Sequence, residues 1–233
     1  MKIKDLASSL NNMTNEDKYE LLNELSELDE ITTENLEILN ALSYDEGDEV
    51  RVQVAEILEN CEDIEAEIIL IRLLHDTDGL VRATACDSLR FSDSPKVLSL
   101  LIDIIKKDKT DLVRGYAASS IGSILLNMDK VDKEYVDFFV DLVSREKVTW
   151  VKFHIYGTLY LLGEGTYLFK LIEMLNHRHF RKRGAVISIL ANILSDENKE
   201  IIEYSLKELL EKEETINVRS AIENVLKGIE EPT

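Results

Sequence analysis

The chain has 233 residues, of which 45% are hydrophobic, and its formal net charge at pH 7 is −19. This length can bury a substantial core, whereas nine glycines and two prolines are too few for a turn-rich β protein or a long flexible linker. So large an excess of acids also opposes nucleic-acid binding, which draws most of its affinity from Lys and Arg on phosphates.

The acidic excess is concentrated in the first third of the chain. Residues 1–79 hold 22 of the 46 acids but only 5 of the 27 Lys and Arg, whereas residues 80–233 hold 24 acids and 22 bases. The opening segment MKIKDLASSLNN is too polar and too short for a signal peptide, and no run of about 18 apolar residues predicts a membrane span. We therefore expect a cytoplasmic protein that is most strongly charged in its N-terminal third.

Apolar residues with helical spacing occur along the whole chain, starting with NEDKYELLNELSEL (15–28) and TENLEILNALS (33–43). Five later segments have the same spacing; they are AEIILIRLLH (66–75), PKVLSLLIDIIKK (95–107), EYVDFFVDLVSR (134–145), TYLFKLIEMLN (166–176) and KEIIEYSLKELL (199–210). Ser94 before Pro95 predicts an N-cap with proline at the first helical position. No segment shows sustained alternation of apolar and polar residues, so we predict no strands.

Six segments between these helices repeat one pattern. They read DEVRVQVAEIL (48–58), DGLVRATACDSL (78–89), TDLVRGYAASSI (110–121), VTWVKFHIYGTL (148–159), HFRKRGAVISIL (179–190) and TINVRSAIENVL (215–226). A hydrophobic residue followed directly by Arg or Lys opens each pattern; these residues are Val50, Val81, Val113, Val151, Phe180 and Val218. Helix–turn–helix units of roughly 30–40 residues predict an α-solenoid, in which stacked hairpins share a continuous core.

The pattern Asp-x-x-Val-Arg followed by small residues resembles the HEAT-repeat family, most closely the short bacterial type described as similar to phycobilin lyases. The match is strong at DEVRVQVA, DGLVRATA, DLVRGYAA and INVRSAI, and weak at WVKFHIYG and HFRKRGAV. The resemblance covers about residues 45–229 and implies an all-α, right-handed α-solenoid of about six HEAT-like hairpins. Residues 1–44 would then be an acidic helical cap with the start of the first repeat, continuous with residues 45–233 as one elongated domain.

The resemblance also implies a structural role for the arginine after each opening hydrophobic residue, because in HEAT-like repeats it bridges to an acid of the neighbouring repeat. The repeat arginines predicted in this way are Arg51, Arg82, Arg114, Arg181 and Arg219. Their candidate partners are Asp48, Asp78 and Asp111. This accounts for one of the four fixed positive charges in HRHFRKR (177–183), but it leaves Arg178, Lys182 and Arg183 unexplained.

Positions two, three, six and ten after the opening hydrophobic residue lie on the outward side of each second helix, which lines the concave face in this class of solenoid. They carry acids and amides in the first repeats, aromatic residues in the middle and bases in the fifth, and aromatic residues beside a polar rim are typical interface anchors. The predicted partner-binding residues at these positions are Gln53, Glu56, Asp87, Phe91, Tyr116, Phe153, His154, Lys182 and Arg183, and Trp150 is added at the turn edge, one residue before Val151. The alternative is that the rings fill the core and the charges form a solvated face.

No residue pattern predicts catalysis, a metal site or a cofactor. Cys61 and Cys86 lie 25 residues apart without a second Cys pair or a close His, which favours buried reduced thiols over zinc. The pair His177 and His179 is surrounded by four cations, which oppose a bound metal. None of the four histidines is followed by Glu, so the iron-binding dyads of the HEAT-like deoxyhypusine hydroxylase are missing.

Two classes of function remain. The first is a non-enzymatic binding module, since an acidic surface complements a basic protein; some bacterial immunity proteins that neutralise nuclease toxins are similar to HEAT-repeat solenoids. A general scaffold or regulator of a larger complex is the alternative within this class. The second class is an enzyme, either a HEAT-like DNA glycosylase, which Trp150 and Tyr116 suggest and the charge opposes, or a phycobilin lyase. We predict a monomer that binds a basic protein, such as a toxin nuclease domain, without cofactor, DNA or membrane.

Overall fold

The computed structural model describes residues 10, 12–128 and 130–230 of the chain. These residues form thirteen α-helices and no strand, in agreement with the sequence prediction. The helices are α1 (Asn15–Ser26), α2 (Thr33–Leu42), α3 (Asp48–Ile57), α4 (Ile64–Leu73), α5 (Gly79–Ser88), α6 (Pro95–Lys107), α7 (Asp111–Leu126), α8 (Lys133–Arg145), α9 (Thr149–Leu161), α10 (Thr166–Met174), α11 (Phe180–Asn192), α12 (Lys199–Lys212) and α13 (Ile216–Glu230). A 3₁₀ turn, Leu58–Asn60, extends α3.

Side-chain chemistry explains where several helices begin. Thr14 caps α1 in a capping box: its hydroxyl accepts the N–H of Asp17 (3.2 Å), and the Asp17 carboxylate accepts the N–H of Thr14 (3.1 Å). Thr32 starts α2 in the same way. Ser94 is the N-cap before Pro95, as predicted, although its side chain makes no capping hydrogen bond.

The chain divides into two compact units, residues 1–124 and 125–233, with the boundary inside α7. In the N-terminal unit α3 packs against α1 and α5, and Val50, Val54 and Val81 are fully buried between these helices. In the C-terminal unit α9 packs on α11 and α11 on α13, around a core that runs from Phe153 to Leu226. Each unit thus stacks the second helices of successive hairpins, as the repeats predict. The continuity of cap and repeats as one elongated domain stays a prediction.

Successive hairpins of the N-terminal unit are tied together by a ladder of ion pairs. The basic member is the fourth residue of a second helix, and the acid lies in the turn before the next one. The guanidinium of Arg51 binds both carboxylate oxygens of Asp76 (2.7 and 2.9 Å), and that of Arg82 binds Asp108 (2.8 and 3.0 Å). These side chains are at most 16% exposed, so loss of one member would leave a nearly buried charge.

Each residue of the ladder also makes hydrogen bonds within its own turn. Arg82 donates from Nη1 to the carbonyl oxygen of Asp76, six residues earlier (2.9 Å), and the Asp76 carboxylate accepts the N–H of Asp78 (2.8 Å). Arg114 and Arg219 donate in the same way to the carbonyl oxygens six residues before them (3.1 and 2.8 Å). The position six residues before the arginine is therefore the one that bridges the hairpins. The acids expected from the sequence (Asp48, Asp78 and Asp111) lie two or three residues too late.

The fifth repeat departs from the predicted register by two residues. Arg183, and not Arg181, is the fourth residue of α11, and it binds both carboxylate oxygens of Glu213 (2.6 Å each). Arg181 is exposed, with its guanidinium 5.7 Å from the ring centroid of Phe180. The prediction of Arg181 was wrong because Phe180 was aligned with the buried valines. Phe180 is 43% exposed, and the partly buried Lys182 holds the valine position.

One link of the ladder lacks a carboxylate. The fourth residue of α9 is Lys152, which forms no ion pair within the described residues, and the turn position that is acidic in other repeats is His177. His177 still closes its turn, because its Nδ1 accepts the N–H of His179 (3.0 Å). Loss of hydration, followed by repulsion from cations that include Lys182 and Arg178, lowers the pKa of His177. This ring is therefore neutral at pH 7 and cannot replace the missing acid.

Candidate protein-interaction surfaces

Four grooves in the N-terminal unit are lined by acidic side chains. Their volumes are about 760, 600, 520 and 390 Å³. Among the described residues, fourteen carboxylates line these grooves and no Lys or Arg does; the carboxylates are Glu16, Glu20, Glu24, Glu27, Asp29, Glu30, Asp48, Glu49, Glu56, Glu59, Glu62, Asp63, Glu67 and Asp93. The field of this unit therefore attracts cations at every groove.

Three of the predicted partner-binding residues lie in these grooves. Gln53 and Glu56 line the 600 Å³ groove, where the amide oxygen of Gln53 is buried and accepts no hydrogen bond from the described residues. Phe91, which is 57% exposed, lines the 760 Å³ groove. These positions can contact a partner without rearrangement of the core.

Asp87 and Tyr116 lie outside the grooves but close enough to affect each other. Burial raises the pKa of Asp87, and Arg90 opposes this shift through an ion pair at 3.3 Å. Burial also raises the pKa of Tyr116, with a further contribution from the charge of Asp87. Both side chains are partly buried, so they can form only the edge of an interaction surface.

The aromatic residues of α9 belong to the core rather than to a binding face. Phe153 is fully buried, and His154 is 6% exposed, which makes their prediction as partner-binding residues wrong. The rings of partly buried Trp150 and His154 have centroids 4.6 Å apart, and burial lowers the pKa of His154 to about 4. Phe153 and His154 therefore lie in the core, which is the alternative that the sequence left open.

The basic cluster at 177–183 has one structural arginine. Arg183 is held by Glu213 and by the carbonyl oxygen of His177 (2.8 Å), so its prediction as a partner-binding residue is corrected. Arg178 and Arg181 are exposed, and Lys182 is partly buried. Three cations of the cluster thus remain outside any ion pair within the described residues.

The described residues contain no arrangement typical of a metal site. No group of three or more His, Cys, Asp or Glu among them is placed to hold a metal ion. Cys86 is fully buried, which raises the pKa of its thiol well above the ordinary value, whereas Cys61 is partly exposed and lines two grooves. The prediction of buried thiols is therefore right for Cys86 and wrong for Cys61. In the part of the chain that the structure describes, no helix has the length and apolar character needed to cross a membrane.

Sequence reasoning missed the turn after α3, where Cys61, Glu62 and Asp63 separate the two largest grooves. Acids are so frequent in the first third that their positions carried no information by themselves. The available signal was the location of these acids in a turn, directly before the exposed Ile64 that begins α4. Turn residues from different hairpins meet only after the hairpins stack.

A family model of HEAT repeats matches residues 35–122. No curated protein matches the chain. Among solved structures, the complex of CpcE and CpcF of phycocyanin lyase from Nostoc sp. PCC7120 contains a chain that aligns with a TM-score of 0.65 and 16% identity, over 98% of this chain and 95% of that one. An engineered protein aligns over 99% of this chain and 97% of its own, with 18% identity and a TM-score of 0.41. The first likeness shows the fold alone and confirms the predicted class, an all-α solenoid of HEAT-like hairpins.

Proposed function

We propose that this chain is a non-enzymatic protein-binding scaffold whose acidic N-terminal unit captures a basic protein. The observation that carries this proposal is the lining of the four grooves by fourteen carboxylates, with no Lys or Arg among the described lining residues. A surface of one sign concentrates a partner of opposite sign and speeds its association. The match of residues 35–122 to HEAT repeats supports the same role, because stacked helical hairpins present extended surfaces to protein partners.

The distribution of charge supports the N-terminal unit as the capturing surface. Residues 1–124 contain 27 acids and 12 Lys or Arg, a net charge of −15, whereas residues 125–233 contain 19 acids and 15 Lys or Arg, a net charge of −4. Exposed charges act over roughly 8 Å at physiological ionic strength, so a basic partner meets the strongest attraction at the N-terminal unit. Association should therefore be faster at low salt.

The finer proposal is that the partner is a nuclease toxin domain and that this chain is its bacterial immunity protein. A nuclease holds its substrate with Lys and Arg on the phosphates, and an acidic groove offers carboxylates to the same side chains. Binding would cover the substrate site of the nuclease and would require no chemical reaction. A general scaffold or regulator would use the same surface on a different basic protein.

A pull-down with matched charge variants tests the proposal. Tagged protein is incubated with a native cell lysate, washed at low and at moderate salt, and the retained proteins are identified by mass spectrometry. We expect one basic protein to be retained at low salt and to be lost with Glu56→Lys and Glu62→Lys, both exposed in the acidic grooves. Glu208→Lys with Glu211→Lys changes the net charge equally on exposed positions of α12 and should leave capture intact. Retention of nucleic acid, or of a protein whose capture ignores all four changes, would contradict the proposal.

The second candidate is a subunit of a complex with another protein. The fold likeness to a chain of the complex of CpcE and CpcF of phycocyanin lyase favours it. The same pull-down distinguishes the two candidates, because a partner of this kind need not be basic. Its capture would not require a basic surface, so the groove variants would leave it bound.

A further inference from the structure

The 760 Å³ groove, here called the Phe91 groove, is lined by both apolar and polar side chains, and its apolar residues include Phe91 and Ile64. Its floor consists of Leu58, Leu70 and Leu89, each at most 3% exposed. Above this floor, Phe91 and Ile64 are 57% and 65% exposed. A partner that enters the groove can bury both of these exposed apolar side chains.

The rim of the Phe91 groove is acidic. Five carboxylates line it; they are Glu59, Glu62, Asp63, Glu67 and Asp93. Glu59 forms an ion pair with Arg90, but none of the other four has a Lys or Arg partner within the described residues. Glu67 only accepts a hydrogen bond from the hydroxyl of Ser92 (2.7 Å). Four negative charges of the rim are therefore not neutralised.

Arg90 already shows how a cation lies against this groove. Its guanidinium carbon is 4.7 Å from the ring centroid of Phe91, and the same group is paired with Glu59 and with Asp87. An aromatic face attracts a cation of this kind, and the attraction adds to that of the carboxylates. Arg90 thus contacts the ring of Phe91 and neutralises Glu59 of the rim at the same time.

We infer that the Phe91 groove binds an amphipathic basic segment of the partner protein, with an apolar side chain on Phe91 and Ile64 and flanking Lys or Arg on the acidic rim. This inference rests on the proposed capture of a basic protein and specifies its docking site. A neutral apolar segment fits poorly, because it would remove water from four unpaired carboxylates. A wholly polar basic segment would leave both apolar side chains exposed.

Two synthetic peptides of equal positive charge test the inference on the full chain. One carries Lys and Leu at helical spacing, the other has every Leu replaced by Ser, and binding is followed by fluorescence anisotropy. We expect the Leu peptide to bind roughly tenfold more tightly or better, because its Leu side chains lose apolar surface to water when they contact Phe91 and Ile64. Phe91→Ala and Ile64→Ala should each remove most of this preference. Ile68→Ala is the matched control, since Ile68 is 51% exposed on the same helix but does not line the groove.

The two free thiols give a second measurement of where the peptide binds. Cys61 lines the Phe91 groove and is partly exposed, so bound Leu peptide should slow its alkylation several-fold. Cys86 is fully buried and serves as the internal control for unfolding. Circular dichroism of each variant checks that the fold is retained.

The outcomes separate this inference from the proposed function. If both peptides bind equally and only salt weakens them, the acidic unit captures basic chains but the Phe91 groove is not the docking site. A Leu preference that survives Phe91→Ala, or binding without protection of Cys61, also overturns the inference. If neither peptide binds even at low salt, the proposed capture itself fails.

Discussion

The two units of the chain combine the same ladder geometry with different surfaces. The N-terminal unit carries a net charge of −15 and exposes an aromatic residue, Phe91, in an acidic groove. The C-terminal unit carries −4, and its Phe153 is fully buried. Both units contain the bidentate pair between hairpins, Arg51 with Asp76 in one and Arg183 with Glu213 in the other. Repeat stacking is therefore determined by a few positions, and the remaining surface is free to differ.

The contrast between buried and exposed aromatic residues gives the largest expected effect. Phe153→Ala leaves a cavity in the C-terminal core and should lower the free energy of unfolding by about 3–5 kcal/mol. Phe91→Ala removes a side chain that is 57% exposed and should cost less than about 1 kcal/mol. Urea unfolding followed by circular dichroism measures both variants. Equal losses for the two would show that Phe153 is not a core residue.

The corrected register of the fifth repeat predicts the next largest effect. Arg183→Ala leaves the carboxylate of Glu213, whose side chain is 1% exposed, without its partner, which should cost about 3 kcal/mol. Arg181→Ala, two residues away, removes an exposed guanidinium and should change stability by less than about 0.5 kcal/mol. The same unfolding experiment compares them. A larger loss for Arg181→Ala would restore the register that the sequence predicts.

Buried His154 makes the C-terminal unit sensitive to mild acid. Burial lowers its pKa from 6.5 to about 4, so the unfolded chain binds the proton more tightly than the folded protein. The stability that the neutral ring contributes is complete above pH 6.5 and is lost as the pH falls toward 4, with about 2 kcal/mol lost between pH 7 and pH 5.

Unfolding of wild type and His154→Gln at pH 7 and pH 5 tests this effect. Between pH 7 and pH 5, His154→Gln should lose less free energy of unfolding than the wild type. Equal losses in the two proteins would contradict the assignment of this pH dependence to His154. Titration of Glu213 does not contribute to the loss of stability between pH 7 and pH 5. Hydrogen bonds from Arg183 lower the pKa of Glu213 from 4.5 to about 2, so its contribution is lost only as the pH falls below about 4.5.

The smallest predicted effect concerns charge repulsion in the N-terminal unit. Glu16, Glu20 and Glu24 are exposed at successive four-residue spacings along α1, and like charges at this spacing destabilise a helix by a few tenths of a kcal/mol per pair. Glu20→Lys replaces two repulsions by two attractions and should stabilise the protein by roughly 0.5–1 kcal/mol at low salt. The gain should shrink in 0.5 M NaCl, where charges are screened beyond roughly 4 Å. Glu208→Lys, also exposed but on α12, should give no such gain.

The repeats with valine at the third position of the second helix could be predicted from sequence, because Val and Arg are adjacent and helical spacing is local. The fifth repeat could not be predicted, because Phe180 is hydrophobic like the buried valines of the other repeats, whereas Lys182 occupies their position in the helix. Burial of Phe153 depended on which neighbouring helices cover α9, and no local pattern records that coverage. The 600 and 760 Å³ grooves are lined by turn residues of different hairpins, so their acidic composition was predictable from the sequence but their shape was not.

The missing carboxylate at His177 bears on how the protein opens in its native state. The N–H of Asp78 is bonded to an acid that is itself held by Arg51, whereas the N–H of His179 is bonded to a neutral ring that no described ion pair holds to α9. Amide hydrogens exchange with solvent through such local openings. The amide of His179 should therefore exchange faster than that of Asp78. The turn at His177 should thus open locally more often than the turn at Asp76, whose carboxylate Arg51 holds in place.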